Sequence, residues 1–152
     1  MKLSPHFTLE ELTRTNTGLD NKPNEEIIKR LKTLALCLLE PIRLVCFKPV
    51  KVICAYRSPA VNKRVGGSTG SQHLTGHAVD IDIIGMERLE EFITIARKVD
   101  FDQLIYEVDS NCMHVSYVSK EKNRHQILSR KRINGKKLYE QHTVESILKF
   151  VT

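Results

Sequence analysis

Three features of the 152-residue sequence predict an α+β fold. Short β-branched runs are punctuated by tight-turn chemistry, above all Asn134-Gly135. Amphipathic helical stripes lie apart from these runs. An apolar content of 41% is enough for a packed core.

The elements follow in order. Thr8 caps a short helix over Leu9 to Leu12, with Glu11 three residues on. Residues 13–23, rich in Thr, Asn, Gly and Pro, form a loop. Asn24 caps a long helix whose first turn holds Glu25 and Glu26. Its apolar positions Ile27, Leu31, Leu34, Leu38, Ile42 and Val45 step by three or four and make one stripe, with Pro41 as a kink. Residues 50–55 read as a buried strand. Residues 56–76 are mostly loop, with one helical turn from Pro59. So long an irregular stretch in a small domain is usually functional.

His77 to Ile84 is the second strand, closed by Gly85. Met86 to Val99 is a helix with Leu89, Phe92, Ile93 and Ala96 on one side. Strands at Gln103 to Val108 and Met113 to Val118 flank a turn at Asp109-Ser110-Asn111. Arg132 to Tyr139 is a hairpin around a type I′ Asn-Gly turn. Thr143 caps a last helix carrying Ile147, Leu148 and Val151. One domain over 1–152 is expected, with 118–152 as its basic hairpin and helix.

The longest apolar run, Leu34 to Leu39, is six residues, far short of the ~20 of a membrane span. The N-terminus lacks a signal-peptide core, so synthesis in the cytoplasm is expected. The net charge of +6 lies entirely in residues 118–152, which hold nine Lys/Arg against three Asp/Glu. Such a segment suits an anionic partner or is simply a solvated face. No nucleic-acid motif accompanies it, and few aromatics interleave with the basic residues. Cys37, Cys46, Cys54 and Cys112 form no CxxC pair and read as reduced thiols, three of them in apolar surroundings.

The chemistry concentrates in Ser71-Gln72-His73-Leu74-Thr75-Gly76-His77-Ala78-Val79-Asp80. Gly76 lets the chain reverse, so that His73 meets Asp80. On the strand, Asp80 shares one face with Ala78 and Asp82, while His77, Val79, Ile81 and Ile83 take the other. A carboxylate in an apolar strand needs a partner, and a metal cation is one. His114, in Met113-His114-Val115-Ser116, offers a second imidazole. Two His and one carboxylate with an open fourth position is a catalytic zinc ligand set.

This pattern, followed by a later His-Val-Ser strand, resembles the D-alanyl-D-alanine carboxypeptidase-type zinc metallopeptidases, phage endolysins among them. Phe7 to Leu12, Leu39-Glu40-Pro41-Ile42-Arg43, Tyr56-Arg57-Ser58, Asn62 and Val65-Gly66-Gly67 extend the resemblance over residues 6–118. It implies the hedgehog/D,D-peptidase fold, a small antiparallel sheet with flanking helices and a zinc site on the sheet face. It implies hydrolysis of peptidoglycan stem peptides, by a D,D-carboxypeptidase or an endopeptidase of endolysin type acting at the wall. The alternative is a zinc-binding module of the same fold that does not hydrolyse.

By the same resemblance His73, Asp80 and His114 hold Zn²⁺, Arg57 stabilises the oxyanion, and Ser71 and Tyr56 contact substrate. Zinc lowers the pKa of its water toward ~7 and polarises the scissile carbonyl. The general base is Glu107 or Asp109, because Asn111 stands where the family carries a carboxylate. A hairpin centred on Ser110 and Asn111 would put Glu107 opposite His114. Met113 also departs from the family, which often has Trp there. Cys112 shares His114's strand face, but its coordination would close the fourth position. Asp82 either orients a ligand or is a surface carboxylate. His6, His125 and His142 read as ordinary histidines. The partners implied are a stem peptide and, through the basic segment, an anionic wall polymer. A monomer is expected.

Overall fold

The computed structural model describes residues 1–152. Its helices are α1 (Leu9–Leu12), α2 (Glu25–Leu34), α3 (Glu40–Cys46), α4 (Pro59–Arg64), α5 (Arg88–Lys98) and α6 (Val144–Val151). Its strands are β1 (Val50–Cys54), β2 (Ala78–Ile83), β3 (Gln103–Glu107), β4 (Met113–Ser116), β5 (Gln126–Ile133) and β6 (Lys136–His142).

Asn24 accepts a hydrogen bond from the Ile27 N–H and opens α2. Between α2 and α3 the helix widens into a π turn over Ala35–Leu39, just before Pro41. Pro41 has no N–H, and its ring would strike the carbonyl four residues back in an unbroken α-helix. The wider turn relieves that clash without ending the helix. The predicted stripe therefore gains Ala35 and Leu39. Ile27, Leu31, Leu34, Leu38 and Ile42 are buried as expected. In α5 the buried positions are Glu91, Phe92 and Ile95, so the stripe lies about one residue away from the predicted one.

The six strands form one sheet in the order β1-β2-β4-β3-β5-β6, flanked by helices, which is an α+β architecture. The sheet is mixed rather than purely antiparallel, because β3 and β5 run parallel. Residues 117–125 carry the chain from β4 across to the far side of β3, so β5 leaves in the direction of β3. Buried Asp102 fixes that crossing. It accepts hydrogen bonds from the Arg124 N–H and guanidinium and from Gln72 Nε2. Burial opposes ionisation of Asp102, but Arg124 and Gln72 outweigh it and hold its pKa down at about 2.

The β5–β6 hairpin turns at Asn134 and Gly135, with φ of 52° and 77° as a type I′ turn requires. Val79, Ile81 and Ile83 of β2 face the core with Leu104, Met113 and Val115. Asp80 projects from the opposite sheet face. No helix is long and apolar enough to cross a membrane.

Candidate metal centre

Strand register assembles most of the site. Cys54 pairs with Asp80, Asp80 with His114, His114 with Ile105, and Ile105 with Leu128. Directly paired residues project to the same sheet face, so this row lies across the sheet as one line. His73 arrives from outside the sheet. Its 3₁₀ turn, Gln72–Thr75, starts at Ser71, whose Oγ accepts the His73 N–H (3.2 Å). It ends at Gly76 with φ 78°, the left-handed conformation that glycine adopts freely.

The His73 ring is oriented by the main chain. Its Nδ1 lies 2.6 Å from the Ala55 carbonyl, which can only accept, so Nδ1 carries the proton. The lone pair is thereby placed on Nε2, which is buried, without a hydrogen-bond partner, and 3.4 Å from Asp80 Oδ1. His114 Nδ1 stands 3.1 Å from the same oxygen, and the two imidazoles meet edge to face at 5.1 Å. A neutral His114 can donate Nδ1–H to Asp80 Oδ1, but the lone pair of His73 Nε2 faces the same oxygen and is repelled unless a positive charge lies between them.

Without a metal, a proton takes that place. Burial pulls His73 down, but Asp80 and Cys54 outweigh it and raise its pKa to about 9. Burial dominates at His114 and lowers it. For Asp80, burial opposes ionisation, but His114 and His73 hold it far below the carboxylate range. A divalent cation satisfies the same donors with no proton. The orphaned Nε2 facing a carboxylate thus fits a divalent cation such as zinc.

Arg57 and Cys54 flank this group. Arg57 Nη2 lies 3.8 Å from Asp80 Oδ2, Nη1 donates to Asn62 Oδ1 (3.0 Å) and Nε donates to Cys54 Sγ (3.3 Å). Asn62 in turn donates to the Ser68 carbonyl (2.9 Å), while its own carbonyl accepts the Gly67 N–H (2.8 Å). A Cβ on Gly67 would lie 2.0 Å from Asn62 Oδ1 and 2.6 Å from Arg57 Nη1, so a larger residue would force both side chains to shift. Cys54, His73 and Asp80 each present a donor atom within 4.8 Å of the others. Burial raises the Cys54 thiol, but His73 and Arg57 outweigh it and lower its pKa. No motif marks Cys54; only its place at the end of β1, before Tyr56-Arg57-Ser58, points to it. All four cysteines are free thiols, and Cys37 is exposed rather than buried.

Other expected positions fall differently. Ile105, not Glu107, stands opposite His114. The Val108 N–H donates to the Arg130 carbonyl, committing that end of β3 to β5 and shifting the turn. Glu107 keeps the same face two residues further on. It is buried, with Oε2 bound by Arg130 Nε (2.7 Å) and Oε1 by Arg130 Nη2. Burial raises its pKa, and Arg130 only partly offsets this. Asp109 lies in the exposed turn and accepts the Arg132 N–H (2.7 Å). Tyr56 is buried in the core and lines a neighbouring pocket with Cys54 and Arg57 rather than the cleft over the metal site. Asp82 lies beside Glu91 rather than at the centre. His6, His125 and His142 are engaged by Glu40, Asp100 and Ser129 respectively.

The sequence of residues 5–116 matches the family model described as peptidase M15. The chain belongs to the peptidase M15 family. That match covers β1 to β4 with His73, Asp80, His114, Arg57 and Glu107, and stops before β5. Membership supports a metallopeptidase, since M15 peptidases are zinc-dependent, and the chain presents a possible Cys/His/Asp metal-binding group. No curated protein matches the chain in sequence.

Proposed function

We propose that the chain is a zinc-dependent hydrolase of peptide bonds in peptidoglycan stem peptides, of D,D-carboxypeptidase or endopeptidase type, on the hedgehog/D,D-peptidase fold. The observation that carries this reading is the buried, unpartnered His73 Nε2 facing Asp80 Oδ1 within the M15-matched segment. His73, Asp80 and His114 hold the metal. Zinc bound there supplies Lewis-acid polarisation of the scissile carbonyl and activation of water.

The chain's own groups do the rest. Arg57, held by Asn62 and Cys54, keeps a fixed positive charge where the carbonyl oxygen becomes negative. Ser71 lines the cleft and contacts the peptide. Glu107, its pKa raised, sits behind Arg130 rather than in the cleft lining, and once Arg130 moves aside it takes the proton of the attacking water and delivers it to the leaving amine. The pairing of β5 with β3 supports reading residues 1–152 as one domain. The basic hairpin adds attraction to an anionic wall polymer. Mass spectrometry of purified muropeptides after incubation with the zinc-loaded protein tests this. Shortened stem peptides are expected, and unchanged muropeptides overturn the reading.

A second reading is a zinc module that does not hydrolyse. Cys54 favours it, because a thiolate as fourth ligand closes the position a catalytic site keeps open. Cobalt substitution separates the two. A thiolate charge-transfer band that vanishes in Cys54→Ser supports the closed site, and its absence supports the hydrolase.

A further inference from the structure

The cleft over the metal centre has a volume of about 430 Å³, and one of its walls comes from outside the family match. Gln126, Leu128 and Arg130 of β5 and Lys137 and Tyr139 of β6 all line it. None of the 15 lining residues is a carboxylate, whereas Arg57, Arg130 and Lys137 are cations. A cleft lined by one sign of charge concentrates ligands of the opposite sign.

The three cations are not equivalent. Arg57 is turned toward Asp80, and Arg130 is neutralised by Glu107 and leans over the Tyr139 ring at 5.9 Å. Lys137 is half-buried and makes no salt bridge or side-chain hydrogen bond. The carboxylate whose field reaches it, Glu107, is already bound through both oxygens by Arg130, so the ammonium keeps its three donors for an anionic ligand.

We propose that Lys137, beside Tyr139, forms a subsite for a carboxylate carried by the peptide substrate. This rests on the hydrolytic reading above. Gln141 of β6 stands three strand spacings of about 4.8 Å across from His114, and Lys137 lies four residues of about 3.3 Å further along that strand, so it is roughly 20 Å from His114. An extended peptide advances about 3.3 Å per residue, so the recognised carboxylate lies within about six residues of the scissile bond. The hairpin is thereby a specificity element of the cleft.

The test uses two fluorescently labelled stem peptides, one with free side carboxylates and one with these converted to amides. The zinc-loaded wild type is expected to favour the free acid by roughly tenfold in kcat/KM, the scale of one charged hydrogen bond. Lys137→Ala abolishes the preference, and Lys137→Arg restores it. A wild type without preference, or a preference that survives in Lys137→Ala, overturns the subsite while leaving the hydrolase intact. If neither peptide is cleaved, fluorescence anisotropy with the same pair decides. A Lys137-dependent preference in binding keeps the subsite and removes the hydrolytic reading, and equal binding removes both. Equal zinc content and circular dichroism spectra in all three proteins establish that folding is not the cause.

Discussion

Asp80 and His114 are directly paired across neighbouring antiparallel strands, with Nδ1 of the imidazole 3.1 Å from Oδ1 of the carboxylate. Backbone register alone places these two donors on one sheet face. Only His73 depends on a loop, and its ring is fixed through the Ala55 carbonyl. Metal affinity should therefore be most sensitive to the turn that carries His73.

His73→Ala is expected to reduce bound zinc from about one ion per chain to a small fraction. The remaining Asp80–His114 pair still sits in the sheet, so the fold should survive. Elemental analysis alongside circular dichroism checks both statements. Equal zinc in the wild type and variant would refute the assignment.

Glu107→Gln should keep zinc and lower turnover by about 10²–10⁴-fold, the usual range for lost general acid–base catalysis. Asp109→Asn should change turnover little, because Asp109 is exposed and engaged with the Arg132 N–H. Hydrolysis of a wall-derived peptide by both variants is the measurement. A dead Asp109→Asn beside an active Glu107→Gln would transfer the role to Asp109.

Gly67→Ala tests the positioning of Arg57. The added methyl must displace Asn62 Oδ1 and Arg57 Nη1, but it touches no proposed zinc donor. Turnover is expected to fall by about 10²-fold, the lower range for loss of one oxyanion-stabilising group, with zinc content intact. Wild-type kcat in this variant would show that Arg57 does not act on the reaction.

Glu91 gives the pH dependence of stability. Burial, aided by Asp82, raises its pKa to about 7 although its Oε1 accepts the Ile83 N–H. A carboxyl with a raised folded-state pKa binds more protons folded than unfolded. Its contribution is therefore full below about pH 4.5 and declines as pH rises toward about 7. Glu91→Gln keeps the hydrogen-bonding shape without the charge. It should raise Tm relative to wild type at pH 8 and make little difference at pH 4.5, by thermal melts at both values.

How much of this was legible in the sequence depends on the kind of interaction. The α2 stripe, the caps at Thr8, Asn24 and Thr143, and the Asn134-Gly135 turn are local, and periodicity and turn chemistry reveal them. The grouping of His73 with Asp80 was readable from a short segment with one glycine. The parallel β3–β5 pairing was not, because it is fixed by Asp102 and Arg124 across 22 residues. The same long-range pairing shifted the β3–β4 turn and took Glu107 out of register with His114. Cys54 was hidden for a related reason, since only the β1–β2 register brings it beside Asp80.

The parallel pairing of β5 with β3 also bears on how the chain can be shortened. Five backbone partners, from Gln103↔Gln126 to Glu107↔Arg130, cover the flank of β3. A protein ending at Ser116 would leave that flank as a bare row of amide and carbonyl groups, next to the apolar side chains of Leu104 and Ile105. Such a strand is a template for pairing with another chain. Size-exclusion chromatography should find that shortened protein self-associating, whereas in the full chain the outermost strand, β6, meets solvent with Lys136 and Glu140 and discourages such stacking.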